Sequence, residues 1–473
     1  MKKLLLLLFI FISIGVNSQS INWGERIKLK DHSSVYDYIG SIDGTSYYSY
    51  GYRATGFMGR FDRIGIMSKK NNNTLNFSPE YIEISYHSLI STFVTEEGIG
   101  VVFTEEDGRN DKNEVKCIMI DRNTLKQKSE KVLLSNSLTR KDDASVNFYQ
   151  SQDKSLFAIS YLNNNSKNGS YFTFDVYDNE LKKMWSNKYE TEIGGDISFL
   201  DIELSNYGEI YILSRHINNK HNKVGISKIT EEERTENSFD IDIEINDAEI
   251  KVIDTNKVYI ALNDKIKFVG ITYDLEQEEL TNKVSFEYKK EKGTYWGIKD
   301  ILQLENGKLV VVCEDTYVLI VTGRSNYNTY YNRNFYAICV NPEIGKIEYN
   351  QLISKSTCFT NGWPSEGGQF EKQFYFTKGN NFYAIYNTSR KDDELCGEIF
   401  IDPGITFPSS SNKIISNMLT INESGKPKVD ILFSQEEDEL NFSPNITNEV
   451  ENGKISIGGF DGKYINFGTL NVR

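Results

Sequence analysis

The sequence predicts an all-β protein in which one small antiparallel unit repeats along the chain. Phe172, Phe174 and Val176 alternate with polar or tyrosine positions, and this period of two is typical of a half-buried strand. Tyrosine (29) and phenylalanine (27) are abundant, whereas proline (7) is scarce, which favours strands. A tight turn recurs about every 50 residues over most of the chain, a spacing that is typical of a β-propeller.

The recurring turn joins the first two strands of each unit. It is rich in glycine, asparagine and aspartate, which favour tight turns. We place it at residues 42–44, 97–98, 152–153, 206–208, 255–256, 305–307, 378–379 and 451–453. These turns predict a single β-propeller of about eight four-stranded blades, with seven as the alternative if one weak unit is an elaboration of another.

The strands within a unit differ in polarity. The second strand is almost wholly apolar, as in residues 309–313, because it would lie between two neighbouring blades. The fourth strand is the most polar. In the fourth unit, residues 240–246 alternate acids with isoleucines, and we predict a solvated outer strand whose charges deter edge-to-edge pairing.

The two ends of the chain complement each other. The last unit supplies the strands 455–458 and 464–467, while residues 22–29 resemble an outer strand. We therefore predict that the N-terminal strand pairs with the last blade and closes the ring.

The first 18 residues have the features of a signal peptide. Lys2 and Lys3 precede the apolar run 4–14, and small residues precede Gln19. The run is too short to span a bilayer. We expect cleavage before Gln19, which leaves 19–473 as the propeller domain of a secreted or periplasmic protein with no membrane span; an uncleaved anchor is the alternative.

Charge and motifs exclude several classes of function. A formal net charge of −14 disfavours a nucleic-acid partner. The chain has no phosphate-binding loop, dinucleotide fingerprint or serine-hydrolase motif, and we predict no cofactor. His216 and His221 share one Asn-rich segment but lack an identifiable third ligand, so we predict no metal site.

Five cysteines suit neither a disulfide-dense scaffold nor a clear metal site. Cys358 and Cys396 lie in loop-like sequence and form a possible disulfide in an oxidising compartment. Pairing of Cys313 with Cys339 has weaker support, and Cys117 would be left over. The alternative is that all the cysteines are reduced and mostly buried.

The longest connections fall on one face of the predicted disc, which we call the long-loop face. It carries the loops between second and third strands and the links between blades, including residues 50–60, 323–333, 356–368 and 390–412. Loops on a rigid scaffold commonly carry function. We predict that its ligand-binding residues are Tyr50, Tyr52, Arg53, Arg60, Tyr327, Tyr330, Tyr331, Arg333 and Trp363.

These residue types suit recognition of a carbohydrate or a peptide. Tyr, Trp and Arg provide large contact areas with few rotamers to order, and the neighbouring asparagines supply hydrogen bonds. The alternative is that the aromatic residues cap the blade ends and the arginines are merely solvated.

The turn period, the apolar second strands and the Trp23–Gly24 strand resemble secreted β-propeller-like proteins. The Asn/Lys-rich, proline-poor composition and the Ser18/Gln19 junction resemble exported proteins of Bacteroidota. The repeats of characterised propeller families are absent, including the Trp-Asp and kelch repeats. Residues 41–46 also lack the tryptophan of the sialidase box.

We therefore expect an exported, non-enzymatic binding or scaffold propeller that recognises a glycan or an extracytoplasmic protein through its long-loop face. The alternative is a glycoside hydrolase or lyase with carboxylates in the central pocket. Sequence does not choose a catalytic pair among 67 acids, because paired carboxylates meet only in three dimensions.

Overall fold

Alternating strands pair in sequence order to form eight antiparallel sheets, each of which is one blade, as a computed structural model shows. This confirms the all-β prediction and the prediction of eight blades. No helix in the described part of the chain is long and apolar enough to cross a membrane. The structure describes residues 21–28, 34–56, 59–70, 74–85, 89–107, 112–136, 146–165, 169–190, 196–218, 221–289, 296–321, 327–361, 373–389, 414–434, 440–450, 454–460 and 464–472. The predicted signal peptide, residues 1–18, lies outside these ranges.

The first four blades contain the following strands, given from the first to the outermost. Blade 1 has β3 (Ser34–Ile42), β4 (Thr45–Gly56), β5 (Gly59–Lys70) and a divided outer strand, β6 (Leu75–Phe77) and β7 (Ile82–Ser85); blade 2 has β8 (Leu89–Val94), β9 (Ile99–Asp107), β10 (Lys112–Ile120) and β11 (Gln127–Asn136); blade 3 has β12 (Val146–Gln150), β13 (Leu156–Asn165), β14 (Gly169–Asp178) and β15 (Lys183–Glu190); blade 4 has β16 (Asp196–Leu204), β17 (Ile210–Asn218), β18 (His221–Ile229) and β19 (Arg234–Ile241).

The remaining four blades follow the same order. Blade 5 has β20 (Asp247–Val252), β21 (Lys257–Asn263), β22 (Lys267–Asp274) and β23 (Glu279–Glu287); blade 6 has β24 (Trp296–Gln303), β25 (Leu309–Val321), β26 (Tyr327–Asn341) and β27 (Lys346–Asn361); blade 7 has β28 (Phe374–Lys378), β29 (Asn381–Ser389), β30 (Ile414–Ile421) and β31 (Pro427–Ser434); blade 8 has β32 (Asn441–Val450), β33 (Lys454–Phe460), β34 (Tyr464–Asn471) and the N-terminal strands β1 (Ile21–Trp23) and β2 (Ile27–Lys28).

The first strands of the blades form the innermost ring. Each contacts the first strand of the next blade, and β32 contacts β3, so the ring is closed around its centre, which we call the channel. The predicted turns join the first and second strands, except that 451–453 lies outside the described residues. Gly307 has φ +78° in its turn, a conformation that glycine adopts without steric cost.

The apolar second strands fill the space between blades, as predicted. On β21, Val258 and Ile260 pack with Leu213 of blade 4. The alternate residue Tyr259 packs with Val311 of blade 6. Burying one such side chain contributes about 1.5–3 kcal/mol relative to exposure, so the interfaces between blades stabilise the ring.

The N-terminal strand closes the ring, as predicted. β1 pairs antiparallel with β34, with Trp23 opposite Gly468. The Trp23 ring packs edge-on against Phe433 of blade 7, with centroids 5.2 Å apart. A Cβ atom at Gly468 would lie 2.3 Å from Cγ2 of Ile21 and 2.8 Å from Cε3 of Trp23, so only glycine leaves room for β1.

The outer strand of blade 4 differs from the prediction. β19 ends at Ile241, so most of the predicted strand 240–246 is the link to blade 5. The predicted alternation persists, because Ile243 and Ile245 are buried while Asp242 and Glu244 are exposed. The link leaves the blade edge to reach the channel, so its backbone cannot continue to pair with β18, yet its isoleucines still fill the interface.

Three cysteines, Cys117, Cys313 and Cys339, are buried and free. The weaker prediction of a Cys313–Cys339 bond is wrong: these residues lie on paired strands but in different register, Cys313 opposite Tyr336. Burial raises the pKa of the Cys313 thiol to about 12. Cys358 lies on β27, whereas Cys396 lies outside the described residues, so their disulfide stays a prediction.

Gly468→Ala should weaken the closure of the ring. The added methyl group overlaps Ile21 and Trp23, so we expect the free energy of unfolding to fall by about 1–3 kcal/mol. Thermal unfolding measures the loss. Thr469→Ala, at the partly exposed next position, is the control and should behave like the wild type. Equal stability of Gly468→Ala and wild type would contradict this account of closure.

Candidate functional site

The long-loop face carries strand extensions where the sequence predicted loops. In blade 1, β4 and β5 remain paired as far as Gly56 opposite Gly59, whereas the described part of the first strand pairs as far as Gly51. The predicted loop 50–60 is therefore largely a projecting hairpin. The prediction of a loop over 50–60 was wrong for most of this range, because backbone pairing continues wherever both chains stay extended.

Blade 6 has the longest extension among the described strands. β25 and β26 remain paired as far as Val321 opposite Tyr327, and β27 follows β26 as far as Asn361 opposite Asn328. The first strand of this blade, described from Trp296 onward, pairs as far as Asp315. Three strands therefore project together beyond the ring.

The structure places most of the predicted ligand-binding residues on these two extensions. Blade 1 carries Tyr52 and Arg53 on β4 and Arg60 on β5, whereas Trp363 lies outside the described residues. Blades 7 and 8 separate blade 1 from blade 6 in the ring. The predicted residues therefore lie in two groups on the face rather than in one cluster. The blade 6 group on β26 consists of Tyr327, Tyr330, Tyr331 and Arg333.

Tyr50 has a packing role. Its side chain is 5% exposed, and its ring covers Gly65 on β5, where a Cβ atom would lie 2.5 Å from Cε1 of the tyrosine. The ring meets Phe77 edge-on with centroids 5.3 Å apart. The Tyr50 hydroxyl donates a hydrogen bond to the carbonyl oxygen of Ser78 at 3.3 Å. Tyr50 thus anchors the base of the blade 1 extension from inside the core.

The opposite face, which we call the short-turn face, holds the tight turns of each blade. Hydrogen bonds join turns of neighbouring blades, as between the Asp153 N–H and Oδ1 of Asn206 at 3.0 Å. The Asn306 N–H likewise donates to Oδ1 of Asn380 at 3.0 Å. The polar groups of these turns therefore bind one another.

A cleft of about 410 Å³ lies on the short-turn face between blades 2 and 3. Several of its charged groups are partnered within the protein. Nζ of Lys128 lies 3.1 Å from the Glu97 carboxylate, and Lys131 donates to the carbonyl oxygen of Leu181. These contacts give the cleft a structural explanation.

Acids on the first strands of blades 4, 5 and 6, which belong to the innermost ring, lie near one another, and we call them the channel carboxyls. They are Asp201 and Glu203 on β16, Asp247 and Glu249 on β20, and Asp300 on β24. Sequence reasoning missed them. A usable signal was present: acids two residues apart in the short strand before a turn must share one face of that strand.

Several channel carboxyls connect neighbouring blades. Asp201 accepts a hydrogen bond from the Ile250 N–H at 2.9 Å, and Glu203 accepts one from the Val252 N–H at 2.7 Å. Asp247 accepts one from the Ile298 N–H at 2.7 Å. First strands of different blades do not pair as a sheet, so these carboxyls satisfy backbone donors that would otherwise lack partners.

Burial raises the pKa of every channel carboxyl. The pKa of Glu203 reaches about 7, although the nearby Lys251 ammonium opposes the shift. The pKa of Glu249 reaches about 8, because the carboxyls of Asp300 and Asp201 add to the effect of burial. These two groups therefore hold protons near neutral pH. In the ranges that the structure describes, no group of His, Cys, Asp and Glu residues is arranged to hold a metal ion.

No family model matches the chain, and no curated protein matches it in sequence. Among solved structures it is similar to the β-propeller domain of the Trilobed protease from Pyrococcus furiosus, with 11% identity and a TM-score of 0.37 over 87% of this chain and 95% of that one. It is also similar to the WD40 domain of SCAP from fission yeast (10%, 0.39, over 96% and 99%). A third similar structure is puromycin hydrolase (9%, 0.40, over 94% of this chain and 61% of that one).

Glu249→Gln should change how stability depends on pH. The folded pKa of about 8 lies above the ordinary 4.5, so the stability contributed by this proton is complete below pH 4.5 and is lost as the pH rises to about 8. Glutamine is neutral throughout. We expect the variant to gain about 2 kcal/mol over wild type at pH 8.5 and nothing at pH 4.5.

Thermal unfolding from pH 4.5 to 8.5 measures this difference. Glu279→Gln, on the exposed outer strand of the same blade, is the matched control and should follow the wild type at every pH. A Glu249→Gln difference that does not vary with pH would contradict the proton assignment.

Proposed function

We propose that this protein is an exported, non-enzymatic binding or scaffold propeller that recognises a glycan or an extracytoplasmic protein through its long-loop face. The observation that carries the proposal is the contrast between the two faces. Paired strands of blades 1 and 6 project beyond the ring on the long-loop face. On the short-turn face, turns bond to one another.

The projecting strand of blade 6 has a composition suited to such recognition. Residues 327–333 contain three tyrosines, two asparagines and an arginine. Aromatic rings stack on the apolar faces of sugars or on peptide side chains, and amide and guanidinium groups supply hydrogen bonds. The strand pairing on both sides of β26 holds this segment in place, which lowers the entropy lost on binding.

Export is part of the proposal. The basic residues, the apolar run and the small residues before Gln19 support cleavage of residues 1–18 and release to the periplasm or the exterior. N-terminal sequencing of the protein from its native host tests this directly. A mature chain that starts at Met1 would overturn it.

A glycan-array and polysaccharide-binding screen on residues 19–473 tests recognition. We expect binding that Tyr330→Ala/Trp363→Ala weakens at least tenfold. Tyr207→Ala is the matched control, because Tyr207 is 68% exposed and lies in a turn on the short-turn face. If Tyr207→Ala weakens binding equally, the long-loop face is not the site.

A failed glycan screen leads to the second arm of the same test. The wild-type chain and the double variant are used side by side to capture partners from a cell-envelope extract. A protein retained by wild type and by Tyr207→Ala but lost by the double variant supports the protein-binding form of the proposal. Retention of the same proteins by all three chains contradicts it.

The channel carboxyls favour one second candidate, a glycoside hydrolase or lyase that uses them in the central pocket. Glu203 and Glu249 keep protons near neutral pH, as a general acid requires. Turnover of a polysaccharide that Glu249→Gln lowers at least 100-fold, with Glu279→Gln unchanged, would favour this candidate. Binding without turnover would eliminate it.

A further inference from the structure

A buried lysine lies in the contact between blade 8 and blade 1, which we call the seam. Lys69 on β5 of blade 1 is 4% exposed. Its Nζ donates a hydrogen bond to Oγ of Ser456 on β33 of blade 8 at 3.2 Å. The same nitrogen lies 5.7 Å from the ring centroid of Phe467 on β34.

The surroundings of Lys69 are hydroxyl, amide and apolar groups. The Tyr48 hydroxyl lies 3.3 Å from Oγ of Ser456 and donates to Oδ1 of Asn448 at 3.0 Å. Phe467 and Ile446 belong to the apolar cluster of the seam. The described residues offer a buried ammonium here no carboxylate partner to replace its lost hydration, which disfavours the charged form.

The seam differs from the other contacts between blades in how the chain crosses it. Strands β32–β34 arrive from blade 7, whereas β3–β7 follow the N-terminal strands β1 and β2. Blade 8 therefore holds blade 1 through side-chain packing and through the pairing of β1 and β2 with β34. When this packing and pairing loosen, β32–β34 separate from β1, β2 and blade 1. The ring then opens although the polypeptide stays intact.

We propose that Lys69 makes the seam a proton-sensitive closure, in which the neutral amine allows the ring to close tightly and the ammonium favours its opening. In the open seam the ammonium regains water and is stabilised. Protonation therefore shifts the ring toward opening, because the ammonium is better solvated when the seam is open.

The pKa of Lys69 agrees with this device. Burial alone lowers it from 10.5 to about 8. Among the residues that the structure describes, no charged side chain contributes to the shift. The titratable groups on the strands around it include Tyr38, Tyr48, Lys70, Glu449 and Lys454.

The sign follows from the lowered pKa. Stability contributed by the neutral amine is complete above pH 10.5 and is lost as the pH falls through about 8. With a pKa of 10.5 in the open seam and about 8 in the closed seam, the equilibrium constant for opening rises about tenfold when the pH falls from 9 to 6.5.

Amide hydrogen exchange of the intact chain tests the proposal. The protection of β33–β34 is compared with that of β13–β14 in the same sample, which cancels the intrinsic pH dependence of exchange. We expect the ratio to fall about tenfold in wild type between pH 9 and pH 6.5. A ratio that does not change with pH in wild type overturns the proposal without any variant.

Substitutions of two neighbouring lysines distinguish the effect of the buried amine from a general effect of lysine charge. Lys69→Met removes the buried amine and should make the ratio independent of pH, with higher protection at pH 6.5 than in wild type. Lys70→Met removes an exposed charge at the next position and should keep the wild-type dependence. If Lys69→Met retains the pH dependence, another group controls the seam and the proposal fails.

Discussion

The structure depends on burying each second strand between two neighbouring blades. Alternate residues of β21 contact blade 4 on one side and blade 6 on the other. The apolar residues on both faces of this blade are therefore buried only when the neighbouring blades cover them. This requirement makes the ring a closed cycle, because the first and last blades must also cover each other. The N-terminal strand meets it by pairing with β34, and Gly468 leaves the space for Trp23 to do so.

Ionisable groups occupy two special places in this apolar arrangement. The channel carboxyls tie the first strands of blades 4, 5 and 6 together, and Lys69 lies at the seam. Burial displaces their pKa values in opposite directions, upward for Glu249 and downward for Lys69. A fall in pH therefore stabilises the folded form of the channel carboxyls and destabilises the closed seam, so the two sites respond oppositely to one change of pH.

The two faces of the disc differ in structure. Bonds between neighbouring turns make the short-turn face a rigid base. The long-loop face projects paired strands from blades 1 and 6, and the core anchors at least one of them through Tyr50. The recognition that we propose for the long-loop face benefits from such rigid support, because ordered segments lose less entropy on binding.

Sequence alone determined the architecture, since the alternation of strands and the chemistry of turns operate over a few residues. The closing strand around Trp23 was predicted from the same kind of local pattern. Tertiary structure decided what each side chain faces. The sequence predicted Tyr50 as a ligand-binding residue, but Gly65 opposite Tyr50 makes room for its ring in the core. The channel carboxyls and Lys69 gain their character from desolvation by strands distant in sequence, which no local pattern records.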